Sequence, residues 1–446
     1  MPEKEELVSS PAVPASHPTA AGAPQTPPPP AAESGGGILR QPRTVWAVAF
    51  ACVIAFMGIG LVDPILPAIS AELDASPSQA MLLFTSYLVI TGLAMFVTSW
   101  VSSRIGAKAT LLTGLALIVA FAAAAGASGS VDQIIAFRAG WGLGNALFIS
   151  TALAAIVGAA NGGVSSAIIL YEAALGLGIA TGPLLGGFLG EISWRGPFFG
   201  TAALMGVGLI AILALMPRLP KPAEPVRLSA TLEALRHPAL MTLAIAAVFY
   251  NYGFFSLLAY SPFPLEAAGH RIGLTIGAHE LGLVFFGWGL AVAISSVFVA
   301  PVLTRRFGRT RVHLGVLGLL TLDLVVLAVA IDSFGALVVA IVAGGFLLGI
   351  MNTVLTEAVM EATTLPRNIA SSTYSGVRFL GGAVAAGVAG KLAEHIGAAT
   401  PYWVAATAFV VSALIIATGR HRLAGIDRHL VEAPADEALA VTAGDA

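Results

Sequence analysis

The chain has 446 residues, of which 57% are hydrophobic and only 10% are charged, and its formal net charge is −2. Soluble proteins average about a quarter charged residues, so this composition, with a mean hydropathy of +0.88, excludes an ordinary soluble protein and predicts an integral membrane protein. The lack of basic patches argues against a nucleic-acid partner, and the single cysteine, Cys52, excludes a disulfide framework or a cysteine metal site.

The first 43 residues differ from the rest of the chain. They are rich in Pro, Ala, Ser and Gly, with four consecutive prolines at 27–30 and three glycines at 35–37. A segment with so little apolar surface does not bury enough of it to fold. Residues 1–43 are therefore expected to form a disordered cytoplasmic tail, and residues 420–446 a second polar tail.

Twelve hydrophobic segments follow, each near the roughly 20 apolar residues that a helix needs to cross a bilayer. Breaks at charges, Gly/Pro clusters and polar turns place the spans at 44–68, 79–101, 109–128, 132–158, 164–189, 197–217, 239–264, 279–303, 311–331, 335–358, 368–391 and 400–419. The sequence thus predicts an all-α membrane protein with 12 transmembrane helices.

The longest interruption between spans is the proline-containing segment 218–238, which divides them six and six. We therefore expect an N-terminal six-helix bundle at 44–217, a cytoplasmic linker at 218–238 and a C-terminal bundle at 239–419. With the N-terminus inside, 17 of the 22 lysines and arginines fall in inner loops and tails, and three fall in outer loops. Because positive residues concentrate on the cytoplasmic side, both termini are predicted to be cytoplasmic.

The two halves repeat several local patterns. Arg104-Ile105-Gly106 follows the second span as Arg306-Phe307-Gly308 follows the eighth, and proline-containing turns end both the first and the seventh span. A parallel repeat of this kind places a site near the middle of the membrane between the halves and supports alternating access.

Glycines in the fifth span share one helical face. Gly178, Gly182 and Gly186 lie four residues apart, and Pro183 falls in the middle of the set. A face without side chains lets another helix approach closely in lipid, and a proline removes one backbone donor and favours a bend. The pattern suits a helix that slides against a partner; tight static packing accounts for the spacing equally well.

This stretch resembles the fifth-helix motif Gly-x-x-x-Gly-Pro-x-x-Gly-Gly of the twelve-span drug:proton antiporters, within the major facilitator superfamily. The match comprises Gly178, Gly182, Pro183, Gly186 and Gly187. The resemblance covers about residues 44–420. It implies the major facilitator fold, with 12 transmembrane helices in two six-helix bundles.

Three further motifs resemble the same family. The fourth span is similar to Arg-x-x-Gln-Gly-x-Gly-x-Ala, with Trp141 in place of the glutamine and matches at Arg138, Gly142, Gly144 and Ala146. Asp63-Pro64 is similar to the family's first-helix pair, and Trp194-Arg195 to the residues that open its sixth helix.

The loop after the second span departs from the family's Gly-x-x-x-Asp-Arg-x-Gly-Arg-Lys. Ser99 and Ser103 stand at the glycine and aspartate positions, whereas Arg104, Gly106 and Lys108 match. The charge latch that the aspartate makes in relatives is therefore not expected here. Arg104 and Lys108 are expected to act mainly as topology anchors.

Ionisable groups within spans are costly and usually mark function. Asp63 and Arg138 both fall in the outer half of their spans, and the resemblance implies that helices one and four line the central cavity. Asp63 is therefore the first candidate to carry a proton, with Arg138 as its partner; a structural ion pair that never titrates is the alternative. Glu172 in the fifth span is the second candidate for proton coupling, and an internal polar contact is the alternative for it.

Other side chains are candidates for the lining of the substrate cavity. Together with Asp63, Arg138 and Glu172 they are Trp141, Asn145, Phe148, Tyr250, Asn251, Asn352 and Arg378. Arg378 falls at a depth similar to that of Glu172 and is a candidate to neutralise it or to bind an anionic group. Asp323 is expected to make a helix-packing contact, and Glu357 to reach the membrane interface.

The resemblance implies a secondary active transporter that exports lipophilic small molecules in exchange for protons. Export of one metabolite or siderophore is the main alternative, and the antiporter motif argues against import by symport. No histidine pair for a metal, serine-nucleophile motif or ATP loop is found, so neither enzymatic activity nor a cofactor is expected; a sensor or scaffold is an alternative of another class. We expect a monomer in the inner (plasma) membrane, with substrate, protons and lipid as its partners.

Overall fold

The computed structural model describes residues 41–159, 163–217, 225–362 and 367–423. The two predicted tails lie almost wholly outside these residues. In the described part, twelve long helices have the bounds α1 Arg43–Gly60, α2 Pro77–Ile105, α3 Ala107–Gly126, α4 Val131–Ala159, α5 Gly163–Ile192, α6 Gly196–Leu215, α7 Pro238–Tyr260, α8 Ala278–Ile294, α9 Arg309–Val329, α10 Phe334–Glu361, α11 Arg367–His395 and α12 Thr400–Gly419.

These helices match the predicted spans. Eleven of them are long and apolar enough to cross a membrane, by length and composition, when α1 and α8 are counted with the helical segments that continue them to Glu72 and Phe307. The twelfth, α4, carries Arg138 and Asn145 and packs against α2 and α3. The all-helical, twelve-span prediction is therefore confirmed for the described part of the chain.

Proline turns end the first helix of each half. After α1, a 3-10 turn Asp63–Ile65 leads into a short helix Leu66–Glu72, and after α7 a helix Pro262–Arg271 begins. Pro64 and Pro262 stand at the start of their elements, where the missing N–H and the fixed φ are favourable. The helix α7 therefore ends at Tyr260 and not at residue 264. The two short helices contact one another.

Two glycines with the same unusual backbone conformation confirm the repeat. Gly106 joins α2 to α3 with φ 90° and ψ 156°, and Gly308 joins the extension of α8 to α9 with φ 81° and ψ 153°. Residues with side chains rarely adopt positive φ. The matching Arg-x-Gly sequences therefore build the same tight connection in both halves.

The helices pack on one another both within each half of the chain and across the two halves. In the N-terminal half α1 packs on α5 and α6, α2 on α4, and α3 on α4 and α6; in the C-terminal half α7 packs on α11 and α12, and α9 on α10 and α12. The main contacts between the halves are α5 with α8 and α2 with α11. We call the end at which α1 begins the basic end, and the other the far end.

The described part of the linker, residues 225–237, contacts both halves of the molecule at the basic end. It contains a short helix, Ala230–Ala234, which contacts α2 and α11. The backbone N–H of Val226 donates to the hydroxyl of Ser103 on α2 at 3.1 Å, and the hydroxyl of Thr373 on α11 donates to the carbonyl of Thr231 at 3.0 Å. The linker is therefore hydrogen-bonded to each half.

Candidate functional site

The first candidate, Asp63, lies in the turn directly after α1, and its side chain is fully buried. Neither of its carboxylate oxygens has a hydrogen-bond partner among the described residues. A Cβ placed on Gly60 would lie 3.0 Å from the ring of Pro183 and 3.6 Å from Oδ2 of Asp63. The break in the first span thus sets Asp63 beside the proline of the fifth-helix motif.

Arg138 on α4 is fully buried in an aromatic cradle. Its guanidinium carbon lies 4.5 Å from the ring centre of Tyr87, 4.6 Å from that of Trp141 and 5.8 Å from that of Phe84. Its Nε donates to the carbonyl of Leu83 at 3.5 Å, while Nη1 and Nη2 have no partner in the described structure. Cation–π contacts of this kind stabilise a desolvated cation.

Asp63 and Arg138 interact electrostatically without forming an ion pair. Each contributes to the electrostatic environment of the other, but the two carboxylate oxygens and the two terminal guanidinium nitrogens have no hydrogen-bond partner among the described residues. Two free acceptors and two free donors match the bidentate geometry that arginine and carboxylate prefer. The pair is therefore complementary and separated in this conformation.

Tyr87 belongs to this site, although the sequence did not single it out. Its hydroxyl accepts a 2.6 Å hydrogen bond from Nδ2 of Asn145, and its ring packs edge-on against Trp141. Asn145 keeps one unpaired acceptor, Oδ1. An aromatic residue in a span commonly serves packing, so nothing in a single sequence distinguishes Tyr87 and Phe84 from other aromatic residues.

The glycine face of α5 packs directly on the backbone of α1. A Cβ on Gly178 would lie 2.5 Å from the carbonyl oxygen of Val53, one on Gly182 would lie 2.5 Å from that of Met57, and one on Gly186 would clash with that of Leu61. The partner residues are themselves four apart. The predicted close approach of a second helix is confirmed, and that helix is α1, which leads through Leu61 and Val62 to Asp63.

The same helix packs on the other half through a second face. A Cβ on Gly187 would lie 2.6 Å from the carbonyl of Ala278, and one on Gly289 of α8 would lie 2.6 Å from that of Ile179. A Cβ on Gly282 of α8 would lie 2.7 Å from the carbonyl oxygen of Pro183. The motif on α5 therefore places α1 on one side and the opposite half of the molecule on the other.

A second polar cluster lies in the C-terminal half. The hydroxyl of Tyr250 donates to Oδ1 of Asn352 at 2.9 Å, and Tyr250 interacts electrostatically with Arg378. The guanidinium of Arg378 lies 5.7 Å from the ring centre of Tyr374 and 5.2 Å from that of Phe379. Three of the predicted cavity residues thus form one cluster.

Other predicted residues lie elsewhere. Phe148 is buried where α4 crosses Gly114 of α3, which is a packing contact within the N-terminal half. Asn251 donates within its own helix, to the carbonyl of Ala247. The side chain of Glu172 lies outside the described part, so its predicted pairing with Arg378 stays a prediction.

Two further acidic residues, Asp323 and Glu357, contact neighbouring helices in the described structure. Oδ2 of Asp323 on α9 lies 2.7 Å from the position that a Cβ on Gly344 of α10 would take, which is a packing contact between these two helices. Glu357 accepts from Nε of Arg309 at 3.0 Å at the basic end.

The loop motif after α2 has specific partners. Nζ of Lys108 donates to the carbonyls of Leu213 and Met216, so it caps the end of α6. The guanidinium of Arg104 lies 4.7 Å from the ring centre of Trp100. Lys108 is therefore more than a topology anchor, because the fold brings the end of α6 next to the start of α3.

The two serines that depart from the motif form neutral contacts. The hydroxyl of Ser99 lies 3.4 Å from that of Ser372 on α11, and Ser103 binds the linker through Val226. Hydrogen bonds between uncharged groups thus occupy the place where relatives are expected to hold a charge latch.

Comparison with known proteins assigns the family. The Major Facilitator Superfamily model matches residues 48–277 and 270–437. The chain is 54% identical over 390 residues to the multidrug efflux protein YfmO of Bacillus subtilis (strain 168), which covers 87% of this chain and 96% of that protein. It is 26% identical over 313 residues to the class C tetracycline resistance protein of Escherichia coli, covering 65% and 75% of the two chains.

A solved structure shows the same fold. The crystal structure of the human organic anion transporter MFSD10 (TETRAN) matches with a TM-score of 0.65 and 19% identity, over 84% of this chain and 99% of that one. With the twelve long helices, the repeat and the family match, the chain is a multi-pass membrane protein that belongs to the Major Facilitator Superfamily.

Proposed function

We propose that the protein exports lipophilic small molecules in exchange for protons, by alternating access between two six-helix bundles, 44–217 and 239–419. Relatives named for multidrug efflux and tetracycline resistance support this substrate class. The excess of lysine and arginine at the basic end supports a plasma-membrane orientation with both termini in the cytoplasm. The protein then works as a monomer, with substrate, protons and lipid as its partners.

The observation that carries the proton coupling is the separated Asp63–Arg138 pair. A carboxylic acid without partners is far less costly in an apolar interior than a carboxylate, so the separated arrangement suits a protonated Asp63. When Asp63 loses its proton, its two oxygens become acceptors for the two unpaired nitrogens of Arg138. Each loading and release of the proton at the Asp63 carboxyl would thus break and remake one bidentate ion pair.

The helix packing converts this local change into a motion. Asp63 follows α1 directly, and α1 rests on the glycine face of α5, whose other face rests on α8 of the opposite half. Movement of the turn at Asp63 towards Arg138 would shift α1 along α5. The glycine face of α5 presents few side chains that would obstruct this shift. In this proposal the cleft between the two bundles opens to one side of the membrane at a time. Proton release at Asp63 favours opening to one side, and proton uptake favours opening to the other.

The substrate would bind between the two polar clusters. In this proposal Arg138, Asn145 and Trp141 would contribute to the N-terminal side of the site, and Tyr250, Asn352 and Arg378 to its C-terminal side. Few fixed charges in a mainly apolar site suit loose recognition of lipophilic compounds. Substrate and proton would compete because both alter the pairing of Arg138.

Transport in proteoliposomes tests the proposal. Purified protein is reconstituted, a pH gradient is imposed, and the movement of ethidium or tetracycline is followed. The wild-type protein is expected to concentrate the compound against its gradient, whereas Asp63→Asn is expected to allow equilibration only. Asp323→Asn is the matched control, because it removes a buried intramembrane carboxyl that packs on Gly344, away from Arg138. Proton-driven accumulation by Asp63→Asn at the wild-type level would overturn the proposal.

A further inference from the structure

Two glutamates bridge the two halves at the far end. Glu191 in the last turn of α5 places Oε2 3.8 Å from Nδ1 of His279, the second residue of α8. Glu394 near the end of α11 accepts a 2.9 Å hydrogen bond from the backbone N–H of Ser78, the second residue of α2. Each glutamate therefore joins the end of one helix to the start of a helix in the other half.

The two contacts are equivalent under the internal repeat. The helices α5 and α11 are the fifth of their halves, and α8 and α2 are the second. Gly187, four residues before Glu191, packs on Ala278, and Gly390, four residues before Glu394, packs on Ser78. The same spacing from a glycine contact to a glutamate thus recurs at both interfaces between the halves.

The chemistry of both contacts favours a carboxylate. The first turn of a helix presents unpaired N–H groups and the positive end of the helix dipole. Glu394 accepts from one of these N–H groups, that of Ser78. Glu191 faces the imidazole of His279, and the two form an ion pair when the imidazole is protonated. These exposed contacts are individually modest, but a contact that exists in only one of two access states shifts their populations by its full free energy.

We infer that Glu191 and Glu394 are positioning residues of the transport cycle, which hold the far end of the cleft closed and separate from their partners when it opens. We call this pair of contacts the acidic latch. The inference rests on the proposed alternating access. Neither glutamate contacts Asp63 or Arg138 in the described structure, so the latch acts on the balance between access states and not on the proton site.

Distance measurements on the full-length protein in lipid nanodiscs test the latch. In a Cys52→Ala background, spin labels at Asp132→Cys and Ser333→Cys report the separation of α4 and α10 at the far end; both positions are exposed, one in each half. The double variant Glu191→Gln/Glu394→Gln is expected to increase the long-distance population at least about threefold, because both bridges are weakened.

Glu280→Gln is the matched control. Oε2 of Glu280 accepts from the backbone N–H of Gly277 at 2.8 Å, so this glutamate also serves a helix start, but within one half. It is expected to leave the distance distribution unchanged. An unchanged distribution in the double variant, or an equal change in Glu280→Gln, would overturn the inference.

The outcome is separable from that of the proposed function. A shift in the distances together with a loss of proton-driven transport only in Asp63→Asn supports both. If the distances shift while Asp63→Asn still transports against its gradient, the latch stands and the proton site is wrong. If the distances do not respond while Asp63→Asn fails to accumulate substrate, the proton site stands and the latch is wrong.

Discussion

Lys108 and Arg195 cap each other's helices at opposite ends of the antiparallel pair α3 and α6. Lys108, at the start of α3, donates to the carbonyls of Leu213 and Met216 at the end of α6. Arg195, directly before α6, donates to the carbonyls of Gly126 and Ser128 at the end of α3. The last carbonyls of a helix lack intrahelical partners and attract cations. The reciprocal arrangement therefore fixes the register of the two helices.

Removal of either cap is expected to destabilise the fold. Lys108→Met and Arg195→Met each leave two carbonyls without their charged donor, and hydrogen bonds to charged groups are worth about 1.5–3 kcal/mol. Partial exposure reduces that value to about 1 kcal/mol. Thermal unfolding in detergent should show a lower Tm for both variants. Arg104→Met, whose side chain stacks on Trp100, is the control, and equal Tm values for all three variants would contradict the capping role.

Substitution in the glycine face is expected to impair transport. In Gly182→Ala the new methyl group would lie 2.5 Å from the carbonyl oxygen of Met57, which forces α1 and α5 apart. Overpacking of this kind costs about 1–3 kcal/mol, and we expect the rate of substrate efflux to fall at least about tenfold because α1 carries Asp63. Gly206→Ala on α6 has no atom within 4 Å and should transport normally. Wild-type efflux by Gly182→Ala would exclude a tight sliding contact.

The neutral contact between Ser103 and the linker predicts a local change in hydrogen exchange. In Ser103→Ala the amide of Val226 loses its acceptor, and a net hydrogen bond is worth about 0.5–1.5 kcal/mol. Exchange in a peptide that covers residues 225–237 should therefore become about two to ten times faster. Ser150→Ala serves as the control, because the hydroxyl of Ser150 donates to the carbonyl of Ala146 in its own helix. Unchanged exchange in Ser103→Ala would show that this bond does not hold the linker.

Glu266, outside the membrane spans, predicts a pH dependence of stability. Burial raises the pKa of this carboxyl above its usual value of 4.5, and His270 only partly opposes the effect. A carboxyl with a raised pKa in the folded state stabilises the fold below the unfolded value, and that stabilisation is lost as pH rises through the folded pKa. As pH rises above 4.5, the Tm of Glu266→Gln should therefore decrease less than the Tm of the wild-type protein. A parallel fall in wild type and variant would contradict this assignment.

Local sequence signals predicted the spans and the glycine face. The length of each hydrophobic segment predicts a span, because about 20 apolar residues are needed to cross a bilayer. The four-residue spacing of Gly178, Gly182 and Gly186 predicts a helix contact, because small residues let helices approach closely in lipid. The proline turns after α1 and α7 followed from the same local chemistry. Asp63 and Arg138 were identifiable because charges inside spans are rare.

Contacts between distant parts of the chain were not predictable from one sequence. The aromatic cradle of Arg138 needs Phe84 and Tyr87 from α2, and these look like ordinary packing residues until α2 and α4 are placed together. Glu394 and Ser78 lie 316 residues apart and meet only through the repeat geometry. Phe148 was predicted to line the cavity. In the structure its backbone N and Cβ lie next to Gly114 of α3, so this residue packs within the N-terminal half.

Proton release on substrate binding would show whether Asp63 gives up its proton in exchange for the substrate. Purified protein in weakly buffered detergent solution is mixed with tetracycline or ethidium while a pH-sensitive dye reports free protons. If Asp63 exchanges its proton for substrate, the wild-type protein and Asp323→Asn release protons, whereas Asp63→Asn binds the compound without release. Proton release by Asp63→Asn equal to that of the wild-type protein would contradict the claim that Asp63 exchanges its proton for substrate.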